Sequence, residues 1–266
     1  MITPPPWMVD LPPLHQHRAK AFHGIPSPAA CSWVEGRPAF SIDQRKLRIL
    51  ALRRHCWMCG YPLNNIGYVV VTENDVTNRY GELHTAGSGP LHLSCALYAM
   101  AACPFLRYRT SRRRVTGDTH RGAASIHGFD HYGVFFPPDP RIFMLFGYYD
   151  PIETVQLTNQ THVAELYEAA VTATAATAFT IGSRLYWTDA ADNLRRLNAD
   201  WPKQWTTLQA WAQTSTVTID GRTYRGRLLD NSGDLPSPKF FHHPPKRDVC
   251  GCSLRCCQCG DLLSCL

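Results

Sequence analysis

The spacing of apolar residues changes several times along the chain and divides it into elements. Leu47, Leu50 and Ala51 recur at helical spacing behind Ser41. Gln44, three residues after Ser41, completes a capping-box pattern, and Asp43 favours the positive end of the helix dipole. Residues 67–73 (GYVVVTE) are a β-branched run and predict a strand. The polar stretch 74–89, with Gly81, Gly87 and Gly89, predicts a turn, a weak return strand and a loop. Residues 91–102 are rich in alanine and leucine and are stopped by Pro104, which predicts a short helix. The strongest strand pattern is 141–149 (RIFMLFGYY). Val163, Leu166, Tyr167, Ala170, Val171, Thr174 and Ala178 predict a helix over 161–179. A shorter helix is expected over 189–197, and another opened by Pro202 with Trp205, Leu208 and Ala212 on one face. Residues 216–229 read as a hairpin about Asp220-Gly221.

These elements predict an α+β chain: a proline-rich arm (1–40), a compact module (41–106), a basic and Gly/His-rich loop (107–140), an α+β C-terminal region (141–229) of a strand, helices and a terminal β-hairpin, and a linker with a cysteine-rich tail (230–266). A hydrophobic content of 44% over 266 residues is enough for a packed core. The net charge of +6 permits a polyanionic partner without demanding one. Residues 1–17 lack the basic-then-apolar pattern of a secretory leader. The longest apolar patch, 142–149, is strand length and far short of the ~18 residues of a membrane span. The expectation is a cytoplasmic protein with no membrane partner.

Eleven cysteines in such a compartment favour metal binding over disulfides. The motif is Cys56-Trp-Met-Cys59-Gly60, then His92-Leu-Ser-Cys95. Zinc takes four soft or borderline ligands in a tetrahedron, and two cysteines separated by two residues can bind one ion from a tight turn. Gly60 suits that turn because it can adopt positive φ. The second pair opens the predicted helix, where free amides and the dipole stabilise thiolate charge. Knuckle, β-hairpin, helix is the order of a treble clef, so 41–106 is expected to be a treble-clef-like module with a closed, structural Zn2+ site at Cys56, Cys59, His92 and Cys95. Cys103, about two turns beyond Cys95, is expected to pack on the same helix face.

The string Cys56-x-x-Cys59-Gly60-x-Pro62-Leu63, then Pro90-Leu91-His92-x-x-Cys95-Ala96-x-Tyr98, then Cys103-Pro104-Phe105-Leu106, resembles a family of uncharacterised bacterial and phage proteins with this cysteine and histidine framework. The resemblance covers roughly residues 40–150. It implies a shared zinc site and no particular activity.

Four further features bear on function. The treble clef is also the scaffold of HNH nucleases, but the one histidine between the ligand pairs is His84, preceded by Leu83, and Asp130-His131 comes after the second pair. His120, His127 and His131 with Asp118 and Asp130 form a loose polar group that a second metal or an acid–base site would need, and that an ordinary loop also tolerates. Arg107, Arg109, Arg112, Arg113 and Arg114, with Arg121 and interleaved Tyr108, face a single acid, Asp118; arginine forks grip phosphates. With Arg45, Lys46, Arg48, Arg53 and Arg54 they would make a basic surface beside the zinc. Finally, Cys256-x-x-Cys259-Gly260 repeats the first knuckle, and Cys250 and Cys252 would complete a second metal site. The functional expectation is a zinc-binding module that contacts nucleic acid or an acidic protein. The alternatives are a divergent HNH-like nuclease and a protein-interaction scaffold.

Overall fold

The computed structural model describes residues 3–6, 26–35, 37–72, 84–86, 89–103, 124–137, 144–148, 151–156, 160–175, 191–219 and 221–229. In chain order the elements are β1 (Cys31–Val34), β2 (Arg37–Ile42), α1 (Gln44–Leu52), β3 (Gly67–Thr72), β4 (His84–Ala86), α2 (Leu93–Ala102), β5 (Ala124–Phe129), β6 (Tyr132–Phe135), β7 (Leu145–Tyr148), β8 (Glu153–Gln156), α3 (Gln160–Ala175), α4 (Ala191–Thr214), β9 (Thr216–Ile219) and β10 (Arg222–Leu229). The fold is α+β. Its strands form an antiparallel β1–β2 ribbon, a three-stranded sheet in the order β3-β5-β8 and a five-stranded sheet in the order β4-β7-β6-β10-β9.

Helix α1 starts later than the capping box predicts. Ser41 and Ile42 continue β2, because Ile42 pairs with Cys31, and Asp43 takes the cap. Its carboxylate accepts from the Arg45 and Lys46 amides at 2.9 and 3.4 Å. Burial works against this carboxylate, but the Arg45 side chain and the two amides hold its pKa below the ordinary value.

Among the described residues β3 and β4, expected to form a hairpin between the ligand pairs, do not pair: β3 pairs with β5 over the full register from Gly67↔Phe129 to Thr72↔Ala124, while β4 pairs with β7. β5 matches β3 residue for residue over six positions, and the three residues of β4 are paired along β7 in the other sheet. Residues 124–135, read from sequence as loop, are strands β5 and β6. Glycines conceal them. Gly133 and Gly147 lie directly opposite each other, and with Gly226 they make room for the Phe135 ring. A Cβ on Gly147 would stand 2.3 Å from that ring.

The two helices expected around Pro202 are one continuous helix, α4, with Pro202 inside it. Leu197, Leu208 and Trp211 are all buried in one core, and that shared stripe carries the helix through the proline. The terminal hairpin is as expected: Ile219 pairs with Arg222, and Gly221 has φ +74°.

One core cluster joins α1 (Leu47, Ile49, Leu50), β3 (Val69), β6 (Tyr132, Val134), β7 (Phe146, Tyr148), α4 (Leu197, Leu208, Trp211) and β10 (Leu229), so residues from both halves of the chain are packed together. A second gathers Cys56, Cys59 and Cys95 with α2 and α3, and Trp57 packs against both. Two cations of the basic helix region turn inward. Lys46 is 1% exposed and its Nζ donates to the Cys31 carbonyl at 2.9 Å. Arg54 is 7% exposed, donates to the carbonyls of Leu229 (2.7 Å) and Asn65 (3.3 Å), and lies 5.1 Å over the Tyr132 ring. The basic surface expected from 45–54 is therefore smaller than its charge count. No helix among the described residues is long and apolar enough to cross a membrane.

Two predictions follow from this packing. Gly147→Ala forces Phe135 out of its place and should lower stability by about 1–3 kcal/mol, the usual cost of overpacking, measured by chemical denaturation. Burial lowers the Lys46 pKa from 10.5 to about 8, against the opposing fields of Asp43 and Cys31. A lowered amine pKa means that the fold prefers the neutral form. Stability is reduced below about pH 8 and recovers as pH rises towards 10.5. Relative to Lys46→Met, the wild-type unfolding free energy should rise by roughly 1.5 kcal/mol between about pH 8 and 9.5. A difference that stays flat would show that the amine is not desolvated.

Candidate metal centre

The first ligand pair sits on a tight turn that leaves α1. Arg54 and Gly60 both take positive φ, +54° and +80°. The Gly60 amide donates to the Cys56 carbonyl at 2.7 Å and the Cys56 amide to the Tyr61 carbonyl at 2.8 Å, which closes the knuckle. A bridge between His55 and Pro62 holds its base, and His55 Nδ1 donates to the Gly60 carbonyl at 2.9 Å. Outer main-chain bonds brace it: Ala29 and Ala30 donate to the carbonyls of Met58 and Trp57, and Trp57 donates to that of Pro90.

The second pair is placed by a two-bond bridge between Tyr68 of β3 and Leu91 (2.8 and 2.9 Å). It sets His92 as the N-cap of α2, with Cys95 in the first turn. His92 makes no side-chain cap bond, because its ring is turned to the sulfurs. Nε2 lies 2.9 Å from the Pro62 carbonyl, which can only accept, so Nε2 carries a proton and Nδ1 is the nitrogen turned to the sulfurs. Nδ1 lies 3.4 Å from Cys59 Sγ and 3.9 Å from Cys95 Sγ.

The four donor atoms of Cys56, Cys59, His92 and Cys95 lie within 4.8 Å of one another. With metal–sulfur bonds of about 2.3 Å and metal–nitrogen bonds of about 2.0–2.1 Å, a zinc tetrahedron has edges of roughly 3.5–3.8 Å, so donors this close could share such an ion. The cysteines are 0% exposed and His92 is 3% exposed. Burial by itself raises each thiol, yet hydrogen bonds from Cys59 and Cys95 and the charge of His92 bring Cys56 well below its ordinary value. Burial lowers the imidazole, but the Cys56 thiolate outweighs it and His92 ends well above its ordinary value. Cys59 and Cys95 are raised, by burial first and then by Cys56. Four buried groups that compete for charge in this way could share a divalent cation.

The structure thus brings together all four residues expected to bind metal. Among the described residues no other group of three or more His, Cys, Asp or Glu donors converges. Cys103 is the C-cap of α2 and lies outside the cluster. His84 is on β4, in the five-stranded sheet. His127 is held on β5 by Ser125 Oγ (2.7 Å) and Thr154 Oγ1 (3.4 Å). Asp130 and His131 are exposed at the β5–β6 turn, 3.8 Å apart. Arg107, Arg109, Arg112, Arg113, Arg114, His120, Asp118 and Cys250, Cys252, Cys256 and Cys259 lie outside the described residues.

Sequence reasoning passed over the Pro62 carbonyl, which fixes the His92 tautomer. The Pro in Cys-x-x-Cys-Gly-x-Pro is the one local signal for it. It also passed over the joint between α2 and α3, where Ser94 Oγ and Thr174 Oγ1 lie 3.1 Å apart and the rings of Tyr98 and Tyr167 are 6.3 Å apart. Set against protein-family models, curated protein sequences and solved structures, the chain matches none of them.

Proposed function

We propose that this chain is a zinc-binding protein whose Cys3His site is structural, and that it serves as a binding module for nucleic acid or an acidic protein. The observation that carries the first part is the closed, buried donor set: four protein donors leave no coordination position for a substrate. The knuckle followed by a ligand-bearing helix supports a treble-clef-like reading, with the Tyr68–Leu91 bridge where the hairpin would be. The free thiols suit a reducing compartment such as the cytoplasm. The shared framework from Cys56 to Leu106 supports kinship with the bacterial and phage family it resembles.

The second part rests on charge. The net charge is +6. Arg222 and Arg225 are exposed on the β9–β10 hairpin, and the arginine-rich stretch 107–121 follows α2 in sequence. Such groups bind a polyanion by displacing the counterions condensed on its phosphates.

Elemental analysis tests the first part. The full chain and a version ending at residue 240 should each carry zinc, with at least one ion per chain in the shorter form. Cys59→Ser should lose that ion and lower Tm by roughly 10 °C or more. A folded, zinc-free short form that was never exposed to chelator would remove the reading. For the second part, binding of single-stranded oligonucleotide should weaken as salt rises. Neutralising Arg112, Arg113 and Arg114 should reduce the log–log salt slope by about 0.7 per lost phosphate contact. A slope of zero in the wild type leaves a protein-interaction scaffold.

A further inference from the structure

Helices α2 and α3 meet through two tyrosines, Tyr98 and Tyr167, whose rings are 6.3 Å apart. Both side chains belong to the second core cluster, at 2% and 7% exposure. The Tyr167 hydroxyl nevertheless makes its hydrogen bond outside the two helices. It donates to the main-chain carbonyl of Thr3 at 2.6 Å, across 164 positions of sequence.

Residues 3–6 read Thr-Pro-Pro-Pro. Proline has no main-chain N–H, so this segment cannot join a sheet ladder as a donor. Thr3, Pro4 and Pro5 each precede a proline, which disfavours the helical region and biases all three to an extended or polyproline conformation. Residues 3–5 are accordingly neither helix nor strand. Such a segment makes no internal hydrogen bonds and offers carbonyl oxygens outward. It is held by side-chain donors that reach those oxygens and by apolar surface under its rings. Tyr167 supplies the donor. Pro5, no more than about 7 Å along the chain from Thr3, is buried while Thr3 and Pro6 are exposed, so one face of the segment is seated. An aromatic hydroxyl on a carbonyl, with a proline ring buried beside it, is how proline-rich peptides are taken up on aromatic-lined surfaces.

We infer that Tyr167 marks a recognition seat for an extended proline-rich peptide at the α2–α3 joint, and that residues 3–6 occupy it in cis. A partner of that chemistry binds by displacing them and placing its own carbonyl on the Tyr167 hydroxyl. Proline has little conformational freedom to lose on docking, whichever chain it belongs to, so the seat can exchange one such segment for another. The inference goes beyond the polyanion reading and uses none of its arginines.

The test uses the full-length, zinc-loaded protein and a fluorescein-labelled peptide of residues 1–6, followed by fluorescence anisotropy. A second peptide carries alanine in place of the three prolines. Pro5→Asp puts an unpaired carboxylate at a buried position and should expel the cis segment; Pro4→Ala with Pro5→Ala loosens it by removing the conformational bias. Zinc content and Tm are checked for each variant, and either opened variant suffices if the other misfolds. In the wild type the tethered segment competes at an effective concentration of the order of millimolar, so the proline peptide should bind the opened variants at least about tenfold more tightly than the wild type. Adding Tyr167→Phe to an opened variant keeps the ring, removes the donor and should weaken the peptide about fivefold. A merely structural role for Tyr167 would leave the affinity unchanged. Opened, zinc-loaded variants that bind neither peptide, or that bind the alanine peptide as well as the proline one, overturn the inference. A wild-type dimer in sedimentation that is lost on Tyr167→Phe would put the segment of a second copy on the seat and overturn the cis arrangement.

Discussion

Three thiols and an imidazole are packed side by side where water does not reach, and their charge has to be collected by something at their centre. A cation of the right size would do this, and the architecture around the site explains why the four groups stay in place. Neither ligand pair is held by its own element alone. The knuckle is braced from outside by Ala29, Ala30 and Pro90, and the start of α2 is braced by Tyr68. The His92 ring is oriented by Pro62, a residue of the knuckle, so each pair positions the other. Removing the ion would leave buried groups competing for protons within a few ångströms, and the cost would be felt by both core clusters because Trp57 packs against each.

The metal-bearing helix in turn organises what lies beside it. Ser94 and Tyr98, one turn apart on α2, meet Thr174 and Tyr167 on α3. Burial pushes the Tyr98 phenol up to about 12 and moves Tyr167 in the same direction, so both stay neutral and the helix pair carries no phenolate repulsion. The Tyr167 hydroxyl reaches the Thr3 carbonyl at 2.6 Å and ties the beginning of the chain to α3. A small metal module is thereby built into a larger core and does not depend on the ion alone for its hydrophobic burial.

How much of this can be read from sequence depends on the kind of information each feature needs. The four ligands, α2, α3 and the β9–β10 hairpin are legible because each is written in local spacing: two residues between cysteines, a 3.6-residue stripe, an Asp-Gly turn. The partner of β3 is not legible, because its valines alternate identically whether the neighbouring strand is β4 or β5. Strands β5 and β6 are hidden by Gly128 and Gly133: Gly128 is pressed by Tyr68 and Glu153 of the neighbouring strands, and Gly133 by the Arg227 carbonyl and the Phe135 ring of its own strand. Pro202 reads as a helix start, yet the buried line from Leu197 to Trp211 overrides it. The Pro62 carbonyl is main chain, and side-chain patterns carry no direct record of it.

The inward cations show why a charge count is a poor map of a charged surface. Lys46 and Arg54 both lie in or beside α1, and both were counted towards a basic face. Their burial is solved in different ways. Lys46 donates to the Cys31 carbonyl, and its amine can shed a proton when desolvation becomes too costly. Arg54 cannot shed its charge, and its site is built accordingly: a planar fork spans two carbonyls from distant parts of the chain and rests on the Tyr132 ring, whose hydroxyl is itself bonded to the Ala51 carbonyl. That arginine joins the corner before the metal knuckle to the last residue of β10. Its charge is used inside the fold, and an anionic partner would be met by other arginines, such as those on β10 and in the stretch after α2.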